Sequence, residues 1–183
     1  HLKSDYWDLI VHIGEPPAHP FQMVTLAPHK RLLCASPEYL QKHGTPHSPR
    51  DLVKHNCLVL RENDEDVTMW RFCGPDNANA AVRIAPGLSC NDGDVILGWA
   101  LAGMGIILRS EWDVADALAQ GTLVHIMPDW VPPDAPVVAL LGPRRQSTAR
   151  ARFFLDALRQ AFDPAPWRGE ATDSSASAQA AAP

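Results

Sequence analysis

The stretch "LSCNDGDVILGWALAGMGIILRSEW", Leu88–Trp112, decides the fold. A polar, turn-rich Ser89-Cys90-Asn91-Asp92-Gly93 opens a helix-like run that stops at Gly103. Asn91 fits an N-cap and Asp94 fits the third helical position. Gly105-Ile106-Ile107-Leu108 follows at once and reads as a buried strand. A chain that passes from strand to capped helix to apolar strand is building α/β layers. The first turn of such a helix leaves backbone N–H groups unpaired, and its dipole favours an anion there.

Working outward, the same alternation recurs. "DLIVHIG" (8–14) is a strand closed by Gly14, and "EPPAHP" (15–20) carries too many prolines for helix. "FQMVTLAP" (21–28) reads as an exposed-edge strand and "KRLLCAS" (30–36) as an apolar one. Ser36 then caps a helix with Pro37 at its first position and Gly44 at its end. "SPRDL" repeats the device with Ser48, Pro49 and Asp51. "CLVLR" (57–61) is a strand and "ENDED" (62–66) a charged, solvated turn. "VTMWRF" (67–72) and "AVRIA" (81–85) pair as an antiparallel hairpin. Ser110 and Asp113 have capping-box spacing for a helix through Gln120, stopped by Gly121. "LVHIM" (123–127) and "VVALLG" (137–142) are strands. Ala151, Phe154, Leu155, Leu158, Ala161 and Phe162 form the apolar stripe of a last helix. From Asp163 the composition turns to Pro, Ala, Ser and Gly, which predicts a disordered tail over 163–183. The pattern gives an α/β fold, mostly parallel, with some antiparallel strand.

Composition narrows the function. The 183 residues are 46% hydrophobic and 20% charged, enough for a packed core. Sixteen Lys and Arg against 21 Asp and Glu give a net charge of −5, which argues against this chain gripping nucleic acid by itself. No apolar run is long enough for a membrane span and no signal peptide opens the chain. The four cysteines have no C-x-x-C spacing, so no zinc site is expected, and they read as free thiols in a reducing compartment. No G-x-S-x-G, H-E-x-x-H, P-loop or G-x-G-x-x-G occurs. "GMGIIL" follows a helix and opens a strand, the reverse of a dinucleotide loop. His12 and His125 lie inside apolar strands and read as core or edge residues. Neither a catalytic set nor a cofactor is expected. What remains is two capped helix starts, at Ser36 and Asn91, each after an apolar strand. They fit a small anion-binding cleft; equally, both could be ordinary caps, which every helix needs.

Several separated motifs resemble one family in order. "DLIVHIG", "LAP", "LCASPEYL", "GTPHSPRDLVKHNCL" and "LSCNDGDVILGWALAGMGI" together resemble the effector-binding domain of LysR-type transcriptional regulators, closest to its CrgA-like branch. The resemblance covers about residues 5 to 162. His12 stands where the family often has Arg, and Cys90 where Ser is common. The family's domain begins earlier, so the chain is expected to be a C-terminal fragment that lacks the winged helix-turn-helix and the first βα portion.

The resemblance implies two Rossmann-like lobes of the type 2 periplasmic-binding-protein kind. Residues 1–30 and 105–162 would form an incomplete first lobe and 31–104 the second, with Gly105 opening the return crossover. It also implies a small, anionic effector in the cleft between them. Gly14, Cys34, Ala35, Ser36, Ser89, Asn91, Asp92, Gly93 and Gly105 are the expected effector-binding residues, with Asn91 and Ser36 facing one shared cavity. Promoter DNA would be reached only through the absent N-terminal domain. The full-length protein would be a cytoplasmic homodimer or homotetramer, with no membrane partner. A solute-binding protein of a transport system, with the same two lobes, is the alternative.

Overall fold

The computed structural model describes residues 7–16, 21–61, 67–141 and 149–168. Its strands form two main sheets and a hairpin. In the three-stranded sheet, β10 (Val137–Leu141) lies between β1 (Leu9–Ile13) and β2 (Gln22–Ala27), antiparallel to both. The expected edge position of "FQMVTLAP" is thus found. Val137, Ala139 and Leu141 pack with Leu26, Ala27, Ala151 and Leu155 beneath α4 (Ala149–Ala161). Helix α4 buries Ala151 and Leu155 of the stripe read from the sequence and half-buries Leu158 and Phe162, while Phe154 and Ala161 of that stripe stay exposed, as does Phe153 off it.

The five-stranded sheet carries the order β7 (Pro86–Cys90), β4 (Cys57–Leu60), β8 (Ile106–Ser110), β3 (Arg31–Ala35), β9 (Val124–His125). Its side chains alternate between two cores, as the pleat requires. Leu33, Ala35, Cys57, Val59 and Ile106 face the hairpin of β5 (Met69–Cys73) and β6 (Asn79–Arg83) with Trp70, Phe72 and Val82. Cys34, Leu58 and Ile107 face the other way, onto Ile96 and Ala100 of α2 (Gly93–Leu101) and Val114 of α3 (Glu111–Ala119). Helix α1 (Pro37–His43) follows β3 and has the expected cap: Tyr39 N–H donates to Ser36 Oγ at 3.2 Å. Ser48 and Asp51 form the expected capping box.

The α/β fold stands, with several corrections. Pairing is mainly antiparallel. Among the described strands only β4–β7 and β4–β8 are parallel, while β3 runs against both β8 and β9. The return crossover is not at Gly105: β8 enters the five-stranded sheet between β4 and β3, and the chain joins the three-stranded sheet only after β9. Ser110 precedes α3 without a side-chain cap bond, and the Asp113 carboxylate pairs with Arg109, so the expected capping box is not formed. The tail expected from Asp163 is ordered as far as Arg168, where the Pro166–Arg168 turn packs Trp167 against Trp112 and Phe162. The rest of that tail and the "ENDED" turn lie outside the described residues. Among the described residues no helix is long and apolar enough to cross a membrane.

Candidate functional site

Strand register divides the expected site residues between two ends of the five-stranded sheet. Cys34 pairs with Ile107 and Leu58 also pairs with Ile107, whereas Cys90 pairs with Leu60 and Arg31 with Ser110. Ser36 therefore lies beyond one end of the sheet and Asn91 beyond the other, about five residues of strand or on the order of 15 Å apart. The single cavity expected between them is not formed. The reason is the reversed direction of β3: its carboxyl end points away from those of β4, β7 and β8.

At the Ser36 end the expected residues are closed in. Cys34 and Ala35 are fully buried, and burial pushes the Cys34 thiol up to about 12. Ser36 is 3% exposed and its hydroxyl is committed to Tyr39. Gly105 is buried for packing reasons, since a Cβ there would run into the Asn56 carbonyl and Leu58.

The Asn91 end is different. Gly14 closes β1 at φ 88°, its N–H donates to Pro136 O at 2.9 Å, and a Cβ there would stand 4.0 Å from the Arg31 guanidinium. Gly14 of the three-stranded sheet and Arg31 of the five-stranded sheet thus meet at this end. Ser89, Asn91 and Asp92 are exposed and Gly93 half-buried. The cap of α2 is Asp92, not Asn91: its carboxylate accepts the N–H of Asp94 at 2.9 Å and of Val95 at 3.3 Å. Asn91 is the bend residue between β7 and this cap, so Asp94 is the second helical residue and not the third.

Beneath the helix start lies a residue the sequence reading passed over. The Arg109 side chain is only 12% exposed, and its Nη2 sits 2.5 Å from Asp113 Oδ2. Its Nε is buried with no partner in the described protein. A Cβ on Gly93 would collide with this guanidinium, so glycine lets the backbone of the first turn approach a cation. The signal was available: a charged residue ending the apolar block "GIILRS". Arginine suits this position, because its planar fork pairs with Asp113 here and can exchange that partner for the carboxylate of a ligand. Asp92 already fills the capping place, so the guanidinium, and not the helix dipole, is the group with unused capacity for an anion.

Two cavities lie elsewhere. One of ≈ 230 Å³ is bounded by His47, His125, Asp129 and Trp130 near β9; burial holds the His125 imidazole below its usual value. The other, ≈ 360 Å³, lies over Arg71, Cys73, Ala81 and Pro133 on the hairpin. Neither is lined by any of the nine expected residues. Among the described residues, no group of three or more His, Cys, Asp or Glu could hold a metal ion.

Known proteins share this architecture. The family described as LysR substrate binding domain matches residues 1–163. The HTH-type transcriptional activator TtdR of Escherichia coli K12 is 40% identical over 129 residues, 70% of this chain and 41% of its own length. The HTH-type transcriptional regulator DmlR of the same organism is 37% identical over 161 residues, 88% of this chain and 52% of its own. The chain spans about half the length of the curated relatives it matches. Among solved structures, the LysR-type transcriptional regulator CrgA of Neisseria meningitidis superposes with a TM-score of 0.68 at 27% identity, covering 84% of this chain and 52% of that one. Full-length AphB of Vibrio cholerae, at 21% identity and a TM-score of 0.74 over 87% of this chain and 54% of its own, shares the fold. With the family matched along nearly its whole described length, the chain belongs to the LysR substrate-binding domains.

Proposed function

We propose that this domain senses a small anionic metabolite at the Asn91 end of the five-stranded sheet, and that Arg109 is the principal anion-binding group. The observation that carries the reading is the Arg109 guanidinium: nearly buried, in contact with the backbone of Gly93, and with Nε unpartnered. A buried donor left unsatisfied is costly, and a ligand oxygen would satisfy it. Asn91 and Gly93 would flank the ligand from α2, and Gly14 with Arg31 from the three-stranded sheet's side. Ligands of open α/β sheets gather beyond the carboxyl ends of strands, and β4, β7 and β8 all end here.

The relatives named above are transcription regulators, and the family is one of ligand-binding domains, not enzymes. Effector binding in this domain would bias the activity of a regulator whose DNA contact is made by a helix-turn-helix outside this chain. In the full-length protein it would work in the cytoplasm, as a homodimer or homotetramer. The named relatives do not include a transport protein, which leaves the solute-binding alternative without support from them.

The test is a carboxylate titration followed at the Gly93 amide by NMR, at constant ionic strength. Saturable shifts at Gly93 are expected, weakened about tenfold or more in Arg109→Met, as for loss of a charged hydrogen bond. Shifts that survive Arg109→Met unchanged would refute the assignment.

A further inference from the structure

The turn that carries Arg109 also carries the residues that join the two sheets. Two positions after Arg109, Glu111 Oε1 accepts the backbone N–H of Lys30 at 3.0 Å, the indole N–H of Trp167 at 3.1 Å and the Arg168 guanidinium at 3.0 Å. Lys30 belongs to the first crossing from the three-stranded sheet, and Trp167 to the turn after α4. Next to Glu111, the Trp112 ring stacks on His29 with centroids 4.0 Å apart and meets Trp167 edge-on at 4.8 Å. His29 in turn holds the second crossing: its Nδ1 lies 2.7 Å from Ala135 O, and its own carbonyl accepts the Ala135 N–H at 3.2 Å. Both crossings and the C-terminal turn therefore meet on Glu111 and Trp112. In the same first turn of the helix, directly after Trp112, Asp113 holds Arg109.

On the reading that an anion binds Arg109, we propose that the segment Arg109–Asp113 is the coupling element between effector site and inter-sheet junction, with Glu111 and Trp112 as positioning residues. Asp113 and an incoming anion compete for one guanidinium. An anion that takes Arg109 weakens the Arg109–Asp113 pair and frees the first turn of α3 on its site side. That turn is helical and anchored by the fully buried Val114, so Glu111 and Trp112 move with Asp113 as a unit. Their partners sit on the crossings and the C-terminal turn, so the shift alters how firmly the two sheets are held together. A ligand can bias such an equilibrium only through different contacts in the two states, and the choice of Arg109 between Asp113 and anion supplies that difference.

Hydrogen exchange at the Lys30, Trp112 and Arg168 amides of the 183-residue chain reads this directly. In the ligand-free chain, Arg109→Met should change exchange at Lys30 and Arg168 about fivefold or more, a typical size for coupling between sites. Where Arg109→Met does not fold, Asp113→Asn breaks the same pair from the other side and is read instead. Inorganic phosphate, titrated at constant ionic strength, should move the same amides. Glu111→Gln should keep the phosphate midpoint measured at Gly93 and lose the response at Arg168, a separation that a merely structural role would not give. Folded variants whose Lys30 and Arg168 exchange matches the parent overturn the proposal. Phosphate that fails to bind refutes the anion site, while the ligand-free comparison still decides the coupling.

Discussion

Asp92 and Asn91 show how far a single residue can be read from sequence. Both are good caps, and the choice between them depends on where β7 ends, which the residues alone leave open by one position. The pairing of Leu60 with Cys90 ends the strand at Cys90 and makes Asn91 the bend. Asp92→Ala should therefore lower stability by about 0.5–2 kcal/mol, and Asn91→Ala by no more than roughly 0.5 kcal/mol, by urea denaturation. The reverse ranking would show that the cap is misplaced. Burial also sorts the four thiols. Cys34 and Cys57 are fully buried, and desolvation raises both to about 12, while Cys73 is exposed and Cys90 partly so. Since the thiolate is the reacting form, two thiols should react with an aromatic disulfide reagent in the native protein, and all four only after unfolding. Fast labelling of Cys34 or Cys57 in the native chain would contradict this core.

Elements were legible where apolar residues run together or recur at helical spacing. The apolar runs of β3, β4 and β8 are buried on both faces, and the stripe of α4 buries Ala151 and Leu155 although Phe154 stays exposed. The C-terminal turn escaped because composition was averaged over the tail. Trp167, a lone large residue among small ones, packs on Trp112 and donates to Glu111. A chain ended after Arg168 should therefore keep its thermal midpoint within a few degrees. A chain ended after Ala165 should lose roughly 5 °C or more, from the removal of a partly buried tryptophan and its hydrogen bond. Equal midpoints for the two truncations would show that the turn contributes nothing.

At the scale of the molecule, the order of strands and helices was readable but their direction was not. Alternation of strand and helix predicts a parallel sheet, and β3 defeats it because the crossing from β2 brings the chain into the sheet reversed. That reversal sends Ser36 to the far end and leaves Asn91, Gly93 and Gly14 with Arg109 and Arg31 at the near one. The resemblance to a known family indicated the Asn91 and Gly14 segments, but it could not say which end of β3 they share, since that is a matter of register between strands distant in sequence. The same whole-molecule packing sets the response to acid. His29, at the junction between the sheets, His55, against Tyr39, and His125, on β9, all have pKa values held below the ordinary 6.5, in each case first by burial. A histidine whose folded-state pKa is depressed takes up its proton more readily in the unfolded chain. Its contribution to stability is complete above about pH 6.5 and is lost as the pH falls from there toward the folded-state value. The urea midpoint should therefore be flat between about pH 7 and 8 and fall between about pH 6.5 and 5, above the range where carboxylates titrate. His29 has the added burden of a buried Nε2 without a partner among the described groups. Charging it places a second N–H where no acceptor waits, beside Arg31, with Glu111 and Asp113 only partly offsetting. His29→Gln should flatten part of this acid slope, even if it lowers stability at neutral pH. An acid slope unchanged by His29→Gln would assign the whole loss to His55 and His125, and leave the junction between the sheets insensitive to protons.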